Sequence, residues 1–239
     1  MTTASLAREH RALMSAHRAS RREDPDFYPT PPWAARAGAE VILELDPAAA
    51  RGLWWEPACG AGHMAHGLRD YARVVLSDAY RYGPHHAVFD FVAGQGEPPV
   101  AAADWIVGNP PFNAVAPFVR AAQGRARRGV AMLLRVGGLE SDERHGLIWG
   151  GEEPLTVFAP FVGRVPMHKG FWRPDGSTAA FYAWFVWLKP ALRPRRFMSR
   201  IGGRWRAGTR EIPSDVKARL TRDDDARLFG ASAARMGGA

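Results

Sequence analysis

No stretch of this chain narrows its fold more than Asp104-Trp105-Ile106-Val107-Gly108-Asn109-Pro110-Pro111-Phe112. A short apolar run between an acidic residue and a glycine reads as a strand of a parallel sheet buried on both faces, because it lacks the alternation of a half-exposed strand. The strand ends at Gly108, and Asn-Pro-Pro-Phe stands at its carboxyl end, where open α/β sheets bind ligands. Two successive prolines fix φ and remove two backbone donors, so the loop is stiff. A stiff loop holds one amide and one aromatic ring in a fixed relation. The Asn109 side-chain oxygen and the Pro110 carbonyl can accept hydrogen bonds from an amino group, and Phe112 can stack on a flat ring. Together they suit an aromatic ring bearing an exocyclic NH2. The same residues also read as a helix-entry turn, since Asn caps helices and Pro follows caps.

Apolar runs at 53–56, 74–78, 87–91, 104–108, 130–136, 155–158 and 181–188 predict seven strands. Helices are predicted at 33–45, 63–71, 113–123 and 139–148, with Thr30, Pro31 and Pro32 as the start of the first. Residues 163–178 read as a long polar loop, and 155–158 with 181–188 as a hairpin. Alternating strands and helices give a doubly wound, mostly parallel α/β sheet, Rossmann-like, with a C-terminal antiparallel hairpin. Its carboxyl edge would collect Glu56, Asp78, Asp90 and Asn109.

The outer segments differ in composition. Residues 1–25 form a basic arm, with a helix expected over 5–22, and 26–190 form the main domain. Residues 191–239 are a basic tail; from Lys189 onward the chain has thirteen Lys or Arg against five Asp or Glu. The formal net charge of the 239 residues is +8 and the pI about 10.3, which favours a polyanionic partner. The single cysteine, Cys59, excludes an internal disulfide and fits a reducing cytoplasm. No apolar run reaches the ~18 residues of a membrane span, and no secretion signal is read at the N-terminus.

The loop Pro57-Ala58-Cys59-Gly60-Ala61-Gly62 follows the first strand, and its glycines allow close backbone approach to a ligand. Asp78 lies eighteen residues after Gly60, where nucleotide-binding α/β folds place an acid on ribose hydroxyls. A pyrophosphate would be repelled by Glu56 beside such a cradle, whereas a cationic ligand would not. Glu56 suits an ammonium or sulfonium, Asp78 a ribose, and Asp90 with Phe91 an adenine. S-adenosylmethionine has all three parts.

These residues resemble a known family. Glu56-Pro57-Ala58-Cys59-Gly60-Ala61-Gly62 resembles the cofactor motif of class I methyltransferases acting on amino groups. Asn109-Pro110-Pro111-Phe112 resembles the catalytic motif of DNA adenine-N6 methyltransferases. Phe27-Tyr28-Pro29-Thr30-Pro31 resembles the segment that touches the methionine end of the cofactor in that family. The order of the three matches the γ-type arrangement, and the nearest likeness is to small phage and prophage enzymes. The resemblance covers roughly residues 26–188. It implies S-adenosylmethionine as cofactor, held by Tyr28, Thr30, Pro31, Glu56, Pro57, Ala58, Gly60, Gly62, Asp78, Asp90, Phe91 and Asn109. It implies double-stranded DNA as partner, with the target adenine flipped out of the stack, and catalysis by Asn109, Pro110, Pro111 and Phe112. Large members carry a separate target-recognition domain, whereas here about fifty residues follow the last strand. Cytosine-N4, RNA-base and protein-glutamine methylation use similar chemistry, and a non-catalytic nucleic-acid-binding protein on the same fold is a further alternative.

Lys169, Trp172 and Arg173 in the polar loop, with Arg193, Arg195, Arg196 and Arg200 in the tail, are the candidate nucleic-acid contacts. Trp172 reads equally as a hydrophobic anchor for its loop. His63, His66, His85 and His86 are read as structural or surface residues, since no cysteine or acid completes a metal site with them; no metal is expected. Cys59 reads as packing under the cofactor.

Overall fold

The chain builds its sheet from strands buried on both faces, with helices above and below. The computed structural model describes residues 26–139, 142–150, 153–194, 200–201 and 204–230; the basic arm, Arg195 and Arg196 lie outside the described residues. The strands are β1 (Leu53–Glu56), β2 (Arg73–Asp78), β3 (Ala87–Asp90), β4 (Gln95–Gly96), β5 (Ala103–Gly108), β6 (Ala126–Arg135), β7 (Val157–Pro160), β8 (Tyr182–Leu188), β9 (Arg200–Ile201), β10 (Arg204–Trp205) and β11 (Gly208–Thr209). The α-helices are α1 (Pro32–Leu45), α2 (His63–Leu68), α3 (Val115–Arg125), α4 (Asp142–Ile148), α5 (Val216–Leu220) and α6 (Asp223–Phe229).

One sheet runs in the order β11-β7-β8-β6-β5-β1-β2-β3-β4. β1 lies parallel to β2 and β5, β5 to β6, and β2 to β3, while β8 is antiparallel to both β6 and β7. The expected seven strands form the centre. Two-residue strands are added at each edge, and β9 and β10 pair separately. The expected 155–158/181–188 pairing exists, but β8 inserts between β7 and β6, and residues 161–181 rather than a tight turn join the pair.

The strand order reverses at β1: the chain moves outward through β2 and β3, then returns to place β5 on the other side. A crevice therefore opens at the carboxyl ends of β1 and β5. Asp104 anchors this pair, its carboxylate accepting the Leu53 amide hydrogen at 2.8 Å.

Period-2 alternation divides the core between the two faces. Tyr182, Trp184, Val186 and Leu188 pack with α1, α2 and α5, whereas Ala183, Phe185 and Trp187 pack with α3 and α4. α1 lies so close to β8 that a Cβ on Gly38 would stand 2.2 Å from Trp184 Cε2. Trp184 Nε1 donates to the Ala34 carbonyl at 3.0 Å in the same contact. Pro117 falls in the first turn of α3, where its missing N–H leaves no intrahelical bond broken.

The C-terminal segment requires a correction. Residue 190 does not separate a tail from the domain. β11 joins the sheet beside β7, Ile212 donates to the Pro160 carbonyl at 2.8 Å, and Val216 and Leu220 enter the core cluster that holds α1. Arg36, 0% exposed, donates from Nη1 and Nη2 to the Asp225 carboxylate (2.6 and 2.9 Å), from Nε to Asp70 (2.6 Å) and from Nη1 to the Leu220 carbonyl (2.9 Å). Among the described residues no helix is long and apolar enough to cross a membrane.

Candidate active site

A cavity of about 630 Å³ occupies the crevice at the carboxyl ends of β1, β2, β3 and β5. Every sequence-predicted cofactor residue lines it except Pro31, which precedes α1, and Gly62, which caps α2 with φ +85°. Sequence positions 28 to 109 are thereby brought to one surface by the topology.

The glycine loop is held from below. Cys59 donates its amide hydrogen to the Ser77 carbonyl at 3.1 Å, and Gly60 donates to Asp78 Oδ2 at 2.8 Å. Gly60 has φ +50°, and a Cβ there would stand 2.4 Å from the Phe27 ring, so no side chain fits. The other Asp78 oxygen accepts from the Tyr80 amide at 2.9 Å. A carboxylate has about four lone-pair sites, so Asp78 retains acceptor capacity toward the cavity. Asp90 Oδ1 is engaged locally, accepting from Val92 and Ala93 in an Asx turn beyond β3. Phe91 lies one residue past that strand and is buried against Trp55 and Phe118.

Glu56 is 2% exposed, and its Oε2 has no hydrogen-bond partner. Burial, reinforced by the neighbouring Asp78, holds its pKa well above the usual carboxylate range, with Arg69 and the Ala65 amide opposing. Burial also raises Asp78, against the pull of the Tyr80 and Gly60 amides. Two acids that resist ionisation in one cavity form a site that gains most from a cation. His63, packed against Phe229 at 4.5 Å, is held neutral by burial, its pKa lowered to about 4.

Asn109 follows β5 on the cavity wall. Its Nδ2 donates to the Tyr28 carbonyl at 3.0 Å and to Thr30 Oγ1 at 3.2 Å, with Met167 Sδ at 3.6 Å. A carbonyl only accepts, so the NH2 must face Tyr28 and the orientation of the amide is fixed. Asn109 Oδ1 is left buried and without a partner. The Pro-Thr-Pro segment thus orients the Asn109 side chain as well as lining the cavity. The helix-cap alternative is not what the side chain does: α3 is preceded by Ala114, with no side-chain cap.

Pro111 lines the cavity and Pro110 is buried behind it. Phe112 stands outside that cavity, on the wall of an adjoining space of about 230 Å³ lined mainly by apolar side chains. The Arg135 guanidinium covers one face of the Phe112 ring at 3.8 Å, the Tyr28 ring lies 4.8 Å away, and the Phe112 amide donates to Asp26 at 3.0 Å. Asp26, Arg135 and Met167 are neighbours of the Asn109–Phe112 loop that sequence reasoning missed. Their contacts span 86, 23 and 58 positions, and only the Tyr-Pro-Thr-Pro run beside Asp26 hinted at any of them.

The nucleic-acid candidates divide. Lys169 and Arg173 are exposed on the 161–181 connection, which docks on the Pro-Thr-Pro segment through the Gly170 amide and the Phe27 carbonyl (2.8 Å). Trp172 between them is corrected: it is 1% exposed and packs in the core with α1, so its ring is unavailable to a base and anchors the connection. Arg193 is half-buried, its Nε donating to the Leu188 carbonyl at 3.1 Å, so it does not stand clear as a phosphate contact. Arg200 begins β9.

No family model matches the chain, and no curated protein does. Solved structures do resemble it. The methyltransferase subunit of a type I restriction-modification system from Streptococcus thermophilus aligns with 68% of this chain and 45% of its own, at 12% identity and a TM-score of 0.51. A Pyrococcus horikoshii protein described as an RNA methyltransferase aligns over 65% and 84%, at 12% identity and a TM-score of 0.47. The magnesium protoporphyrin IX methyltransferase of Synechocystis PCC 6803, solved with its cofactor bound, aligns over 66% and 80%, at 15% identity and a TM-score of 0.40. The chain spans just under half the length of the Streptococcus subunit. The likeness is one of fold: this chain shares with the Streptococcus subunit a doubly wound, mostly parallel α/β architecture.

Proposed function

We propose that the protein is an S-adenosylmethionine-dependent methyltransferase that modifies the N6 amino group of adenine in DNA, acting on a base flipped out of the duplex. The observation that carries this reading is Asn109, whose Nδ2 is tied to Tyr28 and Thr30 while its buried Oδ1 has no partner. An orphaned buried acceptor costs stability, and a ligand amino group would satisfy it.

The residues present fit the cofactor. Glu56, with its unpartnered buried oxygen, would receive a cationic group; Asp78 would receive ribose hydroxyls, and Asp90 with Phe91 the adenine. Tyr28 and Thr30 would border the methionine end. The bound cofactor supplies an electrophilic methyl group. The chain's own task is to prepare the nucleophile. An exocyclic amine delocalises its lone pair into the ring and is a poor nucleophile. Asn109 Oδ1 and the Pro110 carbonyl, accepting its two hydrogens, would draw them from the ring plane and localise the lone pair. Phe112 would stack the flipped base on the face that Arg135 does not cover, worth about 1–3 kcal/mol. Positioning supplies most of the acceleration, without a metal or a covalent enzyme intermediate.

The formal charge of +8, with exposed Lys169 and Arg173 on the connection beside the catalytic loop, supports a nucleic-acid substrate. The preference for adenine and for DNA rests on the resemblance of the three motifs and their order. The test is transfer of labelled methyl groups to duplex DNA, single-stranded DNA, RNA and protein in parallel. Label in DNA is expected; label confined to RNA or protein would reassign the substrate, and calorimetry showing no affinity for S-adenosylmethionine would reject the reading.

A further inference from the structure

Behind the glycine loop, side chains with metal-ligating atoms converge from two connections. Cys59 comes from the loop after β1, and His85 and His86 come from the segment joining β2 to β3. One ligand atom from each lies within 4.8 Å of the others. Cys59 is 4% and His86 9% exposed, while His85 is open to solvent.

The hydrogen bonds around His86 select its tautomer. Its Nε2 lies 2.8 Å from the Tyr80 carbonyl oxygen, which can only accept. Nε2 therefore carries a proton, and in the neutral imidazole Nδ1 keeps its lone pair. That Nδ1 is buried and has no hydrogen-bond partner. A histidine held through one nitrogen by a carbonyl, with the other nitrogen bare, is arranged as metal-ligating histidines are. Cys59 Sγ and His85 Nε2 meet one shared atom, the Gly60 carbonyl oxygen, at 3.6 and 3.2 Å. The exposed His85 ring can turn to offer a nitrogen without disturbing the core. Burial, with Glu56 and Asp78 nearby, holds the Cys59 thiol well above its usual pKa, so the free thiol keeps its proton and only a bound cation would draw it off.

We propose that Cys59, His85 and His86 form a three-ligand site for a zinc-class divalent cation, clamping the glycine loop to the β2–β3 connection and leaving the fourth position to solvent. One thiolate and two imidazoles are a donor set that borderline-soft cations take. Bond lengths of ~2.0–2.3 Å place tetrahedral ligand atoms roughly 3.3–3.6 Å apart, so atoms within 4.8 Å of one another close by at most about 1.5 Å on binding. As the metal–sulfur bond forms, the Cys59 thiol releases its proton to solvent, with no change of oxidation state. Cys59 also lines the cavity, so the ion would stiffen one of its walls. This site stands independently of the proposed reaction. A second group, His66, Asp224 and Asp225, lies within the same distance, but Arg36 holds both Asp225 oxygens.

The experiment titrates the full chain, stripped of metal by chelation, with Co²⁺ and then displaces it with Zn²⁺. Cys59 is the only cysteine, so a thiolate-to-cobalt charge-transfer band can come from no other residue. One Co²⁺ per chain is expected, with that band and four-coordinate visible absorption, both erased by Zn²⁺. His85→Ala and His86→Ala should each weaken binding at least ~tenfold. The exposed position of His85 keeps its variant informative if His86→Ala does not fold. Absence of the band in the wild type, one Co²⁺ per two chains, or unchanged affinity in His85→Ala would overturn the site.

Discussion

Asp225→Ala should unfold the protein far more readily than its place near the C-terminus suggests. The residue is 0% exposed, and both its oxygens are bonded to the equally buried Arg36; Oδ2 also accepts the Arg222 amide at 3.0 Å. Removing it leaves a buried guanidinium with only Asp70 and the Leu220 carbonyl. Breaking one side of a buried ion pair costs about 3–5 kcal/mol, a large part of the ~5–15 kcal/mol that holds a domain together. Asp70→Ala is the internal control: its side chain is 25% exposed and makes one of the Arg36 contacts, so about 1–2 kcal/mol is expected. Replacing both partners, Arg36→Met with Asp225→Leu, should recover most of the loss, because no charge is then stranded. Urea titration followed by tryptophan fluorescence and far-UV circular dichroism measures all three variants against wild type. If Asp225→Ala melts within about 1 kcal/mol of wild type, α6 is not part of the cooperative unit, and its description as such is wrong.

Three further outcomes follow from the candidate site. The raised pKa of Glu56 means that the native ligand-free protein binds more protons than the unfolded chain above the ordinary carboxylate value, so stability should fall as pH rises from there toward the folded pKa. Glu56→Gln should flatten that slope in pH-dependent urea titrations and cost about 1.5–3 kcal/mol of cofactor affinity; an unchanged slope would mean that Glu56 is ionised in the native state. Gly60→Ala, which places a Cβ 2.4 Å from Phe27 at φ +50°, should displace that ring and cut cofactor affinity in calorimetry at least ~tenfold; wild-type affinity would show that the loop does not approach the ligand closely. Phe112→Tyr should retain more turnover than Phe112→Ala, because any flat ring can stack; equal losses would argue against stacking.

The central sheet was legible because a strand buried on both faces writes itself as an unbroken apolar run, whether parallel like β5 or antiparallel like β8. The acids at successive strand ends were legible for the same reason: once β1, β2 and β5 are placed, Glu56, Asp78 and Asn109 have nowhere to go but the crevice. What the sequence hid are pairings across distance. Arg36 looks like one more surface cation on a helix, and only its contact 189 positions away makes it a core residue. Trp172 sits among Lys169, Arg173 and glycines, so its local composition points outward while its packing partner is α1. Cys59 and the pair His85-His86 are separated by a whole strand, and the carbonyl that sets the His86 tautomer belongs to Tyr80. Pro31 and Gly62 belong to their motifs by sequence, yet they start helices instead of facing the cavity.

The central claim is that Asn109 receives the amino group of a DNA adenine while a methyl group moves to it. It is tested most directly by a single-turnover reaction of enzyme with labelled cofactor and duplex DNA, followed by digestion to nucleosides. Wild type should place the label in N6-methyladenine. Asn109→Ala, folded by circular dichroism and binding cofactor within about twofold of wild type, should be slower by about 10²–10³, the loss seen when a preorganised contact to a reacting group is deleted. Asn109→Asp, which keeps an acceptor, should fall between them. Label in another nucleoside would reassign the substrate, and wild-type rates in Asn109→Ala would contradict the account outright.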